Sequence, residues 1–84
     1  MLIRSQNKKS ITTDLNLRIF KNDLVKDGEP YEIQTSSREY IGTYSTEEKA
    51  IKVLDMICNA CRNIAFIDEK AVVFEMPSDK EVEV

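Results

Sequence analysis

The sequence predicts an α+β domain: a mainly antiparallel sheet of four to five short strands with one long helix across one face, in the order β-β-β-β-α-β. Three observations lead there. Apolar and polar residues alternate over short stretches before Ser45, the period of a half-buried strand. From Ala50 to Ala65 apolar residues recur at spacings of three and four, the period of a helix packed along one side. A β-branched run then returns near the C-terminus, and strands, one helix and a strand joined by short reversals build a sheet covered by that helix.

Taken in order, the opening "MLIRSQ" reads as a strand without an evident partner. In "LNLRIF" Leu15, Leu17 and Ile19 alternate with Asn16 and Arg18, and the strand runs on to end at Leu24 and Val25. "KDGEP" places a glycine that tolerates positive φ before a proline that cannot extend a ladder, so the chain reverses at Lys26–Pro30. "YEIQTS" sets Tyr31, Ile33 and Thr35 on one face. "SSR", Ser36 to Arg38, makes a tighter reversal into "EYIGTY", where Gly42 marks a bulge or a close backbone approach.

Ser45 with Glu48 three residues on has the form of a capping box, and Glu47 and Glu48 favour the positive end of the helix dipole. The stripe Ala50, Val53, Leu54, Ile57, Cys61, Ile64, Ala65 then specifies about five turns of helix. After a loop at "DEK", "AVVFEM" is a last strand stopped by Pro77. One domain therefore spans residues 1–76, and residues 77–84 form an acidic tail expected to be mobile.

Composition removes whole classes of function. The 84 residues make one small domain with a modest core, for which self-association is a reasonable expectation. No apolar run approaches the roughly 18 residues of a membrane span, and "MLIRSQNKKS" lacks a signal peptide's apolar segment. A cytoplasmic location is the expectation, with no membrane partner. The net charge of −3 disfavours nucleic acid, whose affinity comes largely from neutralised phosphates. The charge is uneven: residues 1–26 hold six basic and two acidic side chains, a net +4, and the other 58 hold six and thirteen, a net −7. A basic patch on an acidic protein suits a small anion or an acidic partner, although a solvated surface has the same composition.

The pair Cys58 and Cys61 is the one short motif that could carry chemistry. A structural zinc needs four ligands, and two cysteines with no histidine cannot close a site within one chain. A redox pair belongs at a helix N-terminus, whereas this one sits more than three turns inside. Both thiols are expected to be small buried hydrophobes. The absence of histidine also removes the commonest general base and the Ser-His and Cys-His nucleophiles. There is no glycine-rich phosphate loop. An enzyme is disfavoured, and no catalytic residue, metal ligand or cofactor is assigned.

The segments "MLIRSQNK", "IGTYSTEEKAIKVLDMI" and "VFEMPSD" resemble, in that order, a group of small uncharacterised proteins of Firmicute genomes and their prophages. Members begin W-I-R-S-Q-D-K, pass through G-x-Y-S/T into the helix and close on V-F-x-M-P. Leu2 stands where an aromatic is usual, and Asn7 replaces the Asp. The resemblance implies a host bacterial cytoplasm and a mobile-element setting, in which small proteins counter host defence.

Two functions compete. One is a homo-oligomeric binding protein that sequesters a small anionic ligand, a cyclic nucleotide or ADP-ribose derivative acting as an immune signal. Guanidinium groups grip phosphate and aromatic rings stack on bases. The candidate ligand residues are Arg4, Gln6, Lys8, Arg38, Tyr40, Arg62 and Asn63. The other is an antagonist or adaptor that blocks a host or phage protein through a sheet edge or an acidic surface.

Overall fold

Three short polar side chains cut the N-terminal half into pieces. Asn7, Asp14 and Asn22 each accept a hydrogen bond from the backbone N–H two residues ahead, at 2.9, 2.9 and 3.0 Å, a local bond that bends the chain out of an extended ladder. The computed structural model, which describes residues 1–63 and 72–84, accordingly shows three brief strands there. These are β1 (Leu2–Arg4), β2 (Ile11–Thr12) and β3 (Arg18–Lys21). β4 (Tyr31–Gln34), β5 (Tyr40–Tyr44), α1 (Glu47–Asn63) and β6 (Val73–Glu75) follow.

The α+β class and, among the described residues, the single α-helix are as expected; the sheet is not one sheet. The strands form two three-stranded sheets, ordered β2-β1-β6 and β3-β4-β5, with five strands before the helix instead of four. β1 and β6 run parallel, Ile3 opposite Phe74, and every other pair is antiparallel. The strand expected from Leu15 to Val25 is confined to Arg18–Lys21. The side-chain oxygen of Asn22 takes the Leu24 N–H, so the chain turns there and leaves Leu24 90% exposed.

The β4–β5 reversal closes as expected, through the Arg38 N–H to the Thr35 oxygen at 2.9 Å with Arg38 at φ 68°. Gly42 serves both anticipated roles. The β4–β5 register shifts beside it, and a methyl group on its Cα would lie 2.9 Å from Met76 Cε and 3.1 Å from Tyr44 Oη.

The helix cap differs by one residue from the Ser45 expectation. Thr46 Oγ1 accepts the Lys49 N–H at 3.1 Å, which makes Thr46 the N-cap. Ser45 is drawn off to Asp79, to which it donates both its N–H, 2.7 Å, and its hydroxyl, 2.9 Å. α1 lies across β3, β4 and β5 and buries Ala50, Val53 and Ile57, with Leu54 and Cys61 half-buried. Ile64, Ala65, the "DEK" loop and Ala71 lie outside the described residues. Cys58 is exposed, contrary to the inward thiol expected of it, because it falls on the solvent side of the stripe that Val53 and Ile57 define.

The C-terminal residues, expected as a mobile tail, are docked. Asp79–Glu81 forms a short 3-10 turn, Val82 enters the core at 4% exposure, and Lys52 donates to the Glu83 carbonyl. Val82 supplies the apolar anchor and Ser45 and Lys49 the polar ones, which "acidic tail" as a composition does not reveal. Ile3, Ile33, Tyr44, Val53 and Met76 are the largest fully buried side chains, so the core lies where both sheets meet the helix.

Candidate functional site

Arg4 and Lys8 converge on one carboxylate. Arg4 Nη1 lies 3.5 Å and Lys8 Nζ 3.0 Å from Glu75 on β6, a cross-strand cluster at the surface. Gln6 has a different role. Its backbone N–H donates to the Ile41 oxygen at 2.8 Å, and its amide nitrogen donates to the carbonyls of Thr43, 3.0 Å, and Pro77, 3.1 Å. Its amide oxygen accepts the Thr43 N–H at 3.1 Å. Gln6 thus behaves toward β5 as a neighbouring strand would, and both its amide atoms are occupied.

Arg38 and Tyr40 stand on the exposed β4–β5 turn and the strand after it, Tyr40 at 59% exposure. Arg62 occupies the last turn of α1, and the Asn63 side chain is outside what is described. The bonds just given bring Arg4 and Lys8 together at Glu75 and tie Gln6 to β5. None joins Arg38 or Tyr40 to Glu75.

Basic and aromatic groups do share a cleft elsewhere, beyond the end of β3. Lys21, Asp23, Val25, Lys26, Pro30, Tyr31 and Ser45 line an open cleft of about 540 Å3. The sequence folds into a cleft here because the Asn22 turn swings Leu24 outward, the Val25 N–H closes on the Asn22 oxygen at 3.1 Å, and Gly28 takes φ 98°. The Lys21 ammonium sits 5.8 Å from the Tyr31 ring centre, within reach of its π face. With Lys26 opposed by Asp23, the lining carries one net positive charge. Residue-by-residue reading missed Lys21, Lys26 and Tyr31. The signal that could have found them was the basic bias of residues 1–26 combined with the "KDGEP" reversal, which brings Lys26 back toward the strand that carries Lys21.

Behind Ser45 the anchoring carboxylate is Asp79. Partial burial raises its pKa, but the Ser45 N–H, the Ser45 hydroxyl and Lys49 Nζ at 3.5 Å outweigh that and hold it below the ordinary aspartate value. Tyr44 is pushed in the opposite direction. Burial first, and then the charges of Asp79, Glu29 and Glu81, raise its phenol well above the ordinary tyrosine value while its hydroxyl donates to the Pro77 carbonyl at 2.8 Å.

Both groups thus remain in one charge state at neutral pH and serve as fixtures. Among the described residues no group of three His, Cys, Asp or Glu side chains could hold a metal ion, and no helix is long and apolar enough to cross a membrane. What the cleft offers chemically is two ammonium donors and a ring face, a combination that suits an anion carrying a flat apolar part.

No family model matches the chain, and neither the curated proteins nor the solved structures include a match to it.

Proposed function

We propose that this chain is a non-enzymatic binding protein that captures a small anion of nucleotide type, in the cleft bounded by Lys21, Lys26 and Tyr31. The observation that carries the reading is the Lys21 ammonium held 5.8 Å from the Tyr31 ring, with Lys26 in the same cleft. A phosphate draws the ammonium groups onto itself, and a base takes the Tyr31 face that Lys21 then leaves. The biological setting that fits is sequestration of a nucleotide immune signal, a cyclic nucleotide or ADP-ribose derivative, by a prophage-type protein in the bacterial cytoplasm. This setting rests on the sequence resemblance. Sequestration needs affinity without turnover, and the chain has no histidine to serve as a base.

Calorimetry against cyclic nucleotides and ADP-ribose tests the reading. Saturable binding is expected, weakened at least tenfold in a Lys21→Ala, Lys26→Ala double variant and unchanged in Arg62→Ala. Absence of binding by the folded wild type at millimolar ligand contradicts it.

One observation favours a second reading, an antagonist of a host or phage protein. The β3 edge of the sheet is open and carries exposed Phe20, Leu15 and Leu24 nearby. Purification from the native host separates the two readings, since an antagonist retains a protein and a sequestering module retains a small molecule.

A further inference from the structure

The open edge has a hydrogen-bonding pattern fixed by its own sheet. The Asn22 N–H donates to the Pro30 oxygen at 2.8 Å, and Arg18 and Phe20 stand opposite Gln34 and Glu32. In an antiparallel ladder the bonded pairs alternate, so Arg18, Phe20 and Asn22 turn their backbone groups toward β4. Ile19 and Lys21 turn theirs away, toward no other strand among the described residues. Phe20 projects from the face opposite Ile19 and is 43% exposed. Leu15, 46% exposed, and Leu24 flank the strand at either end. An edge whose outward backbone groups meet no strand among the described residues, with a partly exposed aromatic on it, is a template for another strand.

We infer that the occupant is a second copy of this chain, joined antiparallel through β3 about a two-fold axis at Phe20. Antiparallel pairing opposes residues that face the partner in the same sense, so the axis falls on Ile19, Phe20 or Lys21. On Lys21 it stacks like charges directly opposite each other. On Ile19 it leaves Lys21 facing Leu17, outside the strand.

On Phe20, Ile19 of each copy meets Lys21 of the other and every outward backbone group of β3 finds a partner. The two Phe20 rings then meet as a non-hydrogen-bonded pair, the closer kind. Arg18 comes opposite Asn22 of the second copy, whose amide donates to Glu32 at 3.1 Å, so the basic end of one strand reaches the acidic corner of the other. The product is a continuous six-stranded sheet with a helix of each copy on the same face. A strand pair of four residues is a short contact beside those of tight complexes, so a concentration-dependent association is expected.

Phe20→Lys separates assembly from folding. Within one chain the new lysine faces Glu32 across the ladder, a favourable pair. Between copies it sets two ammonium groups opposite each other. Sedimentation across a concentration series is expected to show a monomer–dimer equilibrium for wild type, at least tenfold weaker in Phe20→Lys with circular dichroism unchanged.

A Phe20→Cys variant, in a Cys58→Ser, Cys61→Ser background, fixes the register. Mild oxidation is expected to cross-link it to a disulfide dimer, while Arg18→Cys in the same background stays uncross-linked. A wild type that remains monomeric at millimolar concentration, a dimer indifferent to Phe20→Lys, or cross-linking of the Arg18→Cys variant and not of the Phe20→Cys variant would overturn the inference. So would a monomer that captures an unrelated extended peptide on this edge.

Discussion

The two edges of the β3-β4-β5 sheet belong to one ladder, yet they end differently. At β5 the outward groups are taken. The Ile41 oxygen accepts from the Gln6 backbone, and Thr43 exchanges both its N–H and its carbonyl with the Gln6 amide. Tyr44 and Ser45 are tied in turn to Pro77 and Asp79. At β3 the outward groups of Ile19 and Lys21 face no strand among the described residues, and Leu15, Phe20 and Leu24 around them are exposed. A side-chain amide, which presents a donor and an acceptor side by side on a planar unit like the peptide group, can close a sheet edge where a strand cannot be spared. The open edge is then the one available for assembly, and the cleft that begins at Lys21 lies beside it.

Substitutions at the two edges should differ accordingly, and the largest effect belongs to the closed one. Gln6→Leu keeps the volume and removes every amide bond, leaving the Thr43 N–H and the carbonyls of Thr43 and Pro77 without that partner. The expected cost is about 3 kcal/mol, measured by urea unfolding. A cost below about 1 kcal/mol would mean that water replaces the amide and that the β5 edge is closed only in appearance.

Gly42→Ala comes next. Its added methyl meets Met76 Cε, which can yield, and Tyr44 Oη, which is held by Pro77. A loss of about 1–2 kcal/mol in the same assay is expected from overpacking. Tyr44→Phe in that background should recover part of it.

Acid probes the same closed side more gently. The folded pKa of Asp79 lies below its unfolded value, so its contribution to stability is present above the ordinary aspartate pKa and fades as pH falls through the folded one. The melting temperature should hold from neutrality down to about pH 5 and decline below about pH 4. Asp79→Asn should lower the neutral value and flatten that decline.

The smallest effect is expected at the open edge. Phe20→Lys should change monomer stability by no more than about 0.5 kcal/mol, because the ring is 43% exposed and lies outside the buried core. A large loss would show that Phe20 is part of the core and that β3 is not a free edge.

The helix, the two hairpin reversals and the role of Gly42 were legible in the sequence because each has a local cause: a 3.6-residue period, a glycine followed two residues on by a proline, a missing Cβ. The splitting of the sheet was not, since it depends on β1 finding β6 some seventy residues away. The strand end at Lys21 was legible in principle from Asn22, whose short amide competes with the ladder, but the apolar pair Leu24 and Val25 reads as a continuation. Of the candidate site, the basic character of residues 1–26 showed and its location did not. Arg4, Lys8 and Gln6 lie close in sequence, but their tertiary partners are Glu75 for the first two and β5 and Pro77 for the third. Lys21 reaches Tyr31 only because β3 and β4 pair in the observed register.

Amide hydrogen exchange, followed residue by residue in dilute and concentrated samples, tests the contrast between the edges most directly. Thr43 should be protected at every concentration, and Ile19 and Lys21 should exchange freely in dilute solution and become protected together as the dimer forms. Fast exchange at Thr43, or protection at Ile19 and Lys21 that ignores concentration, would contradict the account.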